Sequence, residues 1–360
     1  MTLEDAHAIQ LLLAELEFPG VFAISVFFAI FKTYGIPSIS KLLVATGQLS
    51  NSTTSSKRAA DTGVIITEMV LNKPSSTRTI DAIARMNFLH DRYIRAGKIH
   101  NEDMLYTLSL FALEPIRWTE RYEWRSLTDI EKCAMGLFWK DMGEVMHISY
   151  DLLQSSQFDW PDGLAWLEEL EDWSVRYEKE HMVPASTNFQ LAQATFDIAL
   201  FNVPRILRRM TNNIVIGLLE PRLCTAMMLQ RPPVVYGTIL RLIVKLRKIA
   251  LRHLCLPRPS FMSVKWFTAS DPCTGRIHFE RYIAQPWYIK PSFWARWGLK
   301  ALVLRIVGGA VPGDPQYCPE GYRISELGPA ELKGKGEEEM DATQSELRRR
   351  RQADLAGVSA

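Results

Sequence analysis

The sequence predicts an all-α protein with a single large helical domain, and three observations support this fold class. Apolar residues recur at helical spacing through most of the chain. No run alternates apolar and polar residues over several positions, as a half-buried strand would. No glycine-rich turn follows an apolar strand, so parallel-sheet cofactor folds are excluded.

Six segments between the two ends of the chain carry the helical repeat, and several begin at a recognisable start signal. Thr128 and Asp162 are residue types that cap helix N-termini, and Pro204 suits a first helical turn. The predicted helices cover 105–113, 128–146, 161–180, 186–201, 204–219 and 239–254.

An apolar run over 18–37 is predicted to form one N-terminal membrane anchor, because it reaches the length of about 20 residues that a spanning helix needs. Acidic residues precede the most apolar part of this run, 18–31, and Lys32 and Lys41 follow that part, an order that predicts a cytoplasmic C-terminal domain and is unlike a secretory signal. The alternative is a buried or interfacial helix. The predicted divisions are a lumenal N-terminus and anchor over 1–50, a helical domain over 51–330 and a charged flexible tail over 331–360.

Composition excludes several classes of protein. With 47% hydrophobic and 23% charged residues the chain is globular, and a net charge of +2 gives no reason to expect nucleic acid as a partner. Its five cysteines include no Cys-x-x-Cys pair, which argues against a zinc site and a disulfide scaffold and favours a reducing compartment. Basic clusters over 205–209 and 241–252 are interleaved with Leu and Ile. They predict solvated faces of amphipathic helices, with contact to a membrane surface as the alternative.

One histidine lies on a helix that is predicted to be mostly buried. Ile83, Met86, Leu89 and Tyr93 recur at helical spacing, and His90 follows Met86 by four residues, so it lies beside the apolar face. A neutral imidazole in this position can bind haem iron or another metal. The alternative is a core histidine that is hydrogen-bonded to a backbone carbonyl.

The segments on either side of this helix carry a family resemblance. Arg58 and Thr62 lie one helical turn apart, and after a glycine-led turn Asn101 or Asp103 is a cap candidate for an apolar helix with Thr107. Together the three segments resemble the catalytic core shared by bacterial rubber oxygenase (latex clearing protein) and the fungal ER-bound oxygenases of the mycophenolic acid pathway type. The resemblance to the fungal branch runs from about 58 to 335 and rests on Trp-rich and Pro-rich strings. These include LYTLSLFALEPIRW (105–118), RYEWRSLTDIEKCA (121–134), DGLAWLEELEDWS (162–174), MVPASTN (182–188), RPPVVYG (231–237), LPRP (256–259), QPWYIKPSFWARWG (285–298) and YCPEGYRISELGP (317–329).

The resemblance implies a globin-like helical core, a membrane-bound oxygenase of the endoplasmic reticulum, and dioxygen and a lipophilic prenyl, terpenoid or polyketide compound as substrates. It further implies that His90 is the proximal ligand of haem b, that Arg58 and Thr62 line the haem pocket and that Thr107 shapes it. An Arg fork suits an anionic haem propionate. The alternatives are a solvated charge for Arg58 and hydroxyls bonded back to their own helices for Thr62 and Thr107.

The chain departs from the bacterial pattern on the distal side. Asp61 stands where the bacterial enzyme carries a lysine that can cap the iron, and an acidic residue cannot serve as a neutral amine ligand. The run from Pro37 to Arg58 contains no glutamate to match the bacterial general base. The distal side must therefore differ between the two branches.

Two other functions are compatible with the sequence. Glu144-x-x-His147 and Glu178-x-x-His181 have the spacing that a di-iron carboxylate oxygenase uses on two of its four helices. A non-catalytic helical membrane scaffold is the third possibility. Six tryptophans are expected either to fill the core or to line a tunnel for an isoprenoid chain. They are Trp118, Trp124, Trp139, Trp160, Trp166 and Trp173.

Overall fold

A computed structural model describes residues 1–51, 53–282 and 284–357. Within them the protein is all-α, as predicted, and extended segments meet only in isolated bridges such as that between Ile277 and Tyr322. The last three residues of the predicted tail lie outside the described residues. The α-helices are α1 (Leu3–Leu12), α2 (Pro19–Thr33), α3 (Pro37–Ala45), α4 (Ser55–Leu71), α5 (Thr77–Arg95), α6 (Asn101–Tyr122), α7 (Asp129–Val145), α8 (Gly163–His181), α9 (Ser186–Ala199), α10 (Arg205–Leu218), α11 (Pro221–Ala226), α12 (Val234–His253), α13 (Phe293–Trp297), α14 (Leu299–Ile306) and α15 (Glu337–Gly357), with a π-helical turn at Leu13–Glu17.

Several helices begin where the sequence predicts because their cap residues form the expected hydrogen bonds. Thr128 caps α7 in a capping box, and the side chain of Asp162 caps α8. At α6 the cap prediction is wrong, because His100 occupies the N-cap position. The side chain of Asn101 instead exchanges two hydrogen bonds with the backbone of Ser149.

The core is built around α2 and α6, which pack along each other. Phe28 of α2 lies against Trp118 of α6, with ring centroids 5.0 Å apart. On one side α7 packs between α1 and α8. The backbones of α7 and α8 approach so closely at Gly136 and Gly163 that a Cβ on Gly136 would overlap the carbonyl oxygen of Gly163.

The apolar run that was predicted as one anchor over 18–37 does not form one helix. α2 ends at Thr33, and the chain turns before α3 begins at Pro37, because a residue that precedes proline is driven out of the helical conformation. Phe22 and Phe28 of α2 are buried in the same core as the later helices. Among the described residues, no individual helix combines the length and the apolarity that a bilayer span requires. Only α1 with its π-helical turn and α2 reach them together, and this pair is bent by 111°.

Lys32, which the sequence placed beside the membrane, is buried at the end of α2. Its ammonium group forms ion pairs with Glu114 (3.3 Å), Glu178 (2.9 Å) and Glu220 (3.2 Å). Burial alone would lower the pKa of Lys32, but the three carboxylates outweigh burial and raise it. The cluster joins α2 to α6, α8 and the start of α11, so the N-terminal helices belong to the helical core.

The chain after α14 returns across α5 as a strap formed by residues 327–335. The guanidinium of Arg85, fully buried on α5, donates to the backbone carbonyls of Leu327, Leu332 and Lys335. These three bonds satisfy the buried cation without a carboxylate.

Within the charged tail, which was predicted to be mobile or a frayed helix, Glu337–Gly357 form the helix α15, and α15 packs on α5. Arg351 of α15 is buried and forms a bidentate pair with Asp141 of α7, with nitrogen–oxygen distances of 2.7 and 2.5 Å. The basic block therefore docks the helix, a contact that residue-level charge patterning does not reveal.

Candidate functional site: an apolar cavity beside His90

A cavity of about 500 Å³ lies among the helices α2 to α7 and α9. Its walls are mostly aliphatic, aromatic and methionine side chains, with few polar groups, and its volume is within the range of small-molecule and cofactor sites. The exposed side chain of Arg281 also lines it, so the cavity reaches the protein surface at that point.

All four residues that the sequence singled out line this one cavity. His90 comes from α5, Arg58 and Thr62 from α4, and Thr107 from α6. Three helices that are separate in the sequence thus bring the predicted side chains to the same space.

His90 has an unsatisfied ring nitrogen in the cavity wall. Its Nδ1 is buried and has no hydrogen-bond partner among the described residues, so the carbonyl-bonded alternative is not formed there. Burial, and then the charge of Arg58, lower the pKa of His90 to about 4. The imidazole is therefore neutral at physiological pH, the form that binds a metal.

His7 shows why the cavity matters to this assignment. It too is buried with an unpartnered ring nitrogen, Nε2. Its ring packs in the core against Phe138, with centroids 5.9 Å apart, and it is not one of the residues that line the cavity. An unpartnered buried nitrogen alone does not make a histidine a candidate ligand, whereas one beside a cofactor-sized cavity does.

Arg58 is a half-buried cation that forms no ion pair among the described residues. Its Nη1 donates to the Thr62 hydroxyl at 2.9 Å, and no carboxylate oxygen of the described residues lies within 4.0 Å of the guanidinium. Burial lowers the pKa of Arg58. Since a guanidinium in an apolar wall is costly unless it is paired, its remaining donors fit an anionic group in the cavity.

The hydroxyl groups of the two threonines donate hydrogen bonds to backbone carbonyls of their own helices. Thr62 donates to the carbonyl of Arg58 at 2.9 Å, and Thr107 donates to that of Asp103 at 2.8 Å. Thr62 still accepts from Arg58 and so orients that side chain. Thr107 offers the cavity only a lone pair or a methyl group.

Asp61 is not a lining residue of the cavity. Its buried carboxylate accepts from the Tyr288 hydroxyl (2.6 Å), the Lys57 ammonium (2.8 Å) and the backbone N–H of Gly328 (3.2 Å). Asp61 therefore ties α4 to the strap and to the segment before α13. Asp61, which replaces the lysine of the bacterial enzyme, therefore stabilises the packing of α4, and comparison of possible distal ligands could not predict this.

Three tyrosines also line the cavity, Tyr34, Tyr93 and Tyr282, and none of them was predicted as a site residue. Burial raises the pKa of Tyr34 to about 12, so its hydroxyl stays protonated. Tyr34 lies within the run that was predicted as a membrane anchor, so it was not predicted to line a cavity. Tyr93 lies one turn after His90 on α5, and this spacing was a usable signal.

The tryptophans divide between the two expected uses. Trp139 lines the cavity and stacks on Phe111, with centroids 5.4 Å apart, whereas Trp166 is fully buried in the core. Trp266 and Trp287 line the cavity as well and were not among the six proposed. Their sequence surroundings, outside the predicted helices, gave no periodic signal.

The described residues do not bring the predicted di-iron ligands together. Glu144 is paired with cations of α7 and α15, and Glu178 is paired with Lys32, while His147 and His181 lie at exposed helix ends. In the part of the chain that the structure describes, no three His, Cys, Asp or Glu side chains converge where one metal ion could be held. The two Glu-x-x-His pairs therefore lie in different environments and do not form one di-iron site among the described residues.

Comparison with known proteins decides the family. A model of the family "ER-bound oxygenase mpaB/B'/Rubber oxygenase, catalytic domain" matches residues 21–246. This chain belongs to that oxygenase family. The matched segment includes His90, Arg58, Thr62 and Thr107, and it begins within the run that was predicted as an anchor.

Relatives within this oxygenase family cover most of the chain. The ER-bound oxygenase mpaB' of Penicillium brevicompactum is 41% identical over 97% of this chain and 83% of its own length. The ER-bound oxygenase mpaB of the same species is 38% identical over 92% and 79% of the two chains. The ER-bound oxygenase mpaB of Penicillium roqueforti (strain FM164) is 44% identical over 63% of this chain and 76% of its own length. The resemblance inferred from the sequence is confirmed, and the chain is an oxidoreductase of the oxygenase class rather than a non-catalytic scaffold.

Proposed function

We propose that this oxygenase is haem-dependent and oxidises or cleaves a lipophilic compound of fungal secondary metabolism, with the alkene of a prenyl or terpenoid side chain as the reacting group. The observation that carries the proposal is that one apolar cavity is lined both by a neutral His90, whose Nδ1 has no partner in the described part of the chain, and by Arg58, which forms no ion pair there. An iron porphyrin with acidic side chains requires one group of each kind.

The side chains fit haem b in the following way. His90 would hold the iron, and Arg58, oriented by Thr62, would bind a propionate. When bound, the haem supplies the iron chemistry that activates dioxygen. Tyr34 keeps its proton and offers a hydrogen-bond donor within the cavity, and Thr107 contributes shape.

The lining supports a lipophilic substrate. Phe22, Ile30, Leu108, Met142 and Trp139 present apolar surface, which excludes water and favours an isoprenoid chain over a polar metabolite. Orientation then depends on the few polar groups, because apolar contacts have little directional preference.

We propose further that the chain works at the cytoplasmic side of the endoplasmic reticulum membrane. The relatives are named ER-bound. The five cysteines are all free, as a reducing compartment would leave them.

The experiment is to purify the full chain, record its absorbance spectrum and measure bound iron, and to repeat both for His90→Ala. His7→Ala is the matched control, because it removes the other buried imidazole with an orphaned nitrogen. We expect a Soret band that His90→Ala loses and His7→Ala keeps. Iron without a Soret band would contradict the haem and indicate a non-haem site, and an iron-free, colourless chain that does not take up added haem would contradict both.

A further inference from the structure

We infer that the surface formed by α10, α12, α13 and α14, here called the basic–apolar surface, docks onto an anionic lipid bilayer. The inference rests on the proposed work at a membrane and adds the part of the molecule that makes the contact. It assigns the contact to these late helices rather than to the N-terminal apolar run.

The first observation is the number of large apolar side chains that face outward. No residue of α12 is buried, and Leu242 and Leu246 are 57% and 58% exposed. On α13 and α14, Trp294 is 78% exposed and Ile306 is 85% exposed. Soluble proteins rarely leave so many large apolar side chains of neighbouring helices exposed unless the surface binds something.

The second observation is the charge of the same helices. The four helices together contain eleven Lys and Arg residues and no Asp or Glu. Helices that combine an apolar face with cations and with Trp or Phe lie in the headgroup region of a bilayer, where anionic lipids attract the cations.

The helices are neighbours in the fold. α10 packs on α12, and Asn202, just before α10, accepts from the backbone N–H of Ala310, which follows α14. The side chain of Asn202 also donates to the carbonyl of Ala284. The surface is thus assembled from segments that meet around Asn202.

The surface adjoins the cavity. Lys300 of α14 lies over the ring of Tyr282, 5.5 Å from its centroid, and both Tyr282 and Ala284 line the cavity. Docking would therefore place lipid beside the cavity wall, on the path that a lipophilic substrate dissolved in the bilayer would take.

A bilayer explains these features better than a second copy of the chain does. A twofold dimer would place the same patch on both sides of its interface, so these cations would face one another. Among the described residues, only Arg247 and Arg296 of the eleven form ion pairs, with Glu123 and Asp314. An anionic leaflet carries the complementary charge.

The test is flotation of the full chain with phosphatidylcholine vesicles that contain about one third phosphatidylserine, at low and high salt. We compare wild type with Leu242→Glu/Leu246→Glu, Phe293→Glu/Trp294→Glu and Arg241→Ser/Lys245→Ser. Arg247 and Lys248 are left intact because they bind Glu123 and the Glu120 carbonyl. Phe158→Glu is the matched control, since Phe158 is 87% exposed on a different segment.

We expect wild type to float, with less binding at high salt, and each double variant to lose about tenfold in partitioning while Phe158→Glu does not. Unchanged flotation of the double variants would overturn the inference. So would loss of flotation by Ile24→Glu alone, which would assign the contact to α2, or a dimer lost in the double variants without any change in flotation. The absorbance spectrum of each variant reports the haem site separately, so failure of docking and failure of the proposed cofactor are distinguishable.

Discussion

Arg58 and His90 lie in an apolar cavity wall in states that side chains there ordinarily avoid. One is a cation without a carboxylate within 4.0 Å among the described residues, and the other is an imidazole whose Nδ1 has no partner there. Each is costly in an empty apolar wall and favourable when an anionic, metal-containing group lies between them. These two side chains therefore carry the most direct residue-level predictions.

Replacing Arg58 by Ala should weaken haem binding by about 10- to 100-fold, because a charge-assisted hydrogen bond contributes roughly 1.5–3 kcal/mol. Thr62→Val, which leaves the guanidinium but removes its hydroxyl partner, should have a smaller effect. Titration of haem b into the apo chain, followed by absorbance, gives both affinities. Equal affinity of Arg58→Ala and wild type would remove Arg58 from the site.

The low pKa of His90 predicts a defined pH dependence of the apo chain. Since the pKa is about 4 in the folded state and 6.5 in its ordinary state, the unfolded chain binds the proton more readily between these values. Neutral His90 thus favours folding fully above pH 6.5, and this contribution is lost as the pH falls toward 4.

The measurement is NMR titration of the His90 ring, assigned by its absence in His90→Gln. A midpoint near 4 is expected, and a midpoint near 6.5 would show that the ring is not in a dry wall. The free energy of unfolding of wild type, relative to His90→Gln, should also decrease between pH 7 and pH 5.

At the scale of elements, the sequence predicted those features that depend on neighbours within a few residues. The helical repeats of α7 to α10 and the caps Thr128 and Asp162 are local, and they are confirmed. The contacts of Lys32, and those of Asp61 apart from its bond with Lys57, are not local. Their partners lie 82 residues away at Glu114 and 227 residues away at Tyr288, so no window of the sequence could reveal them.

Asp61 should be a principal tie between α4 and the C-terminal part of the chain. Asp61→Ala leaves the Tyr288 hydroxyl and the Gly328 N–H without their acceptor and is expected to cost about 2–5 kcal/mol of unfolding free energy, at about 1–3 kcal/mol for each buried donor. Asp91→Ala breaks only an exposed pair with Arg95 and should cost at most about 1 kcal/mol. Chemical denaturation of both variants checks this, and equal stabilities would contradict the role of Asp61.

The crossing of α7 and α8 depends on two glycines. Gly136→Ala would drive a methyl group into the backbone of Gly163 and should destabilise the fold by about 1–3 kcal/mol or more. Gly237→Ala, in a helix where the added Cβ meets nothing within 4 Å, should instead be neutral or stabilise by up to about 1 kcal/mol. Thermal unfolding of the two variants should therefore shift in opposite directions, and a stable Gly136→Ala protein would contradict the close crossing.

At the scale of the molecule, the N-terminal helices and the later helices form one core around the cavity. The sequence predicted four residues of the cavity, because family motifs on α4, α5 and α6 are continuous strings. It did not predict the contribution of α2, because an apolar helix packed in a core and one packed in lipid have the same composition. Tyr34 was missed for that reason.

The central claim is that His90 holds haem in this cavity, and chemical rescue tests it most directly. Haem b is titrated into apo His90→Ala with and without imidazole, with His7→Ala as control, and the Soret absorbance is followed. We predict that His90→Ala loses the wild-type spectrum, that imidazole restores it, and that His7→Ala binds as wild type does. A wild-type spectrum and affinity for His90→Ala without imidazole would contradict the claim.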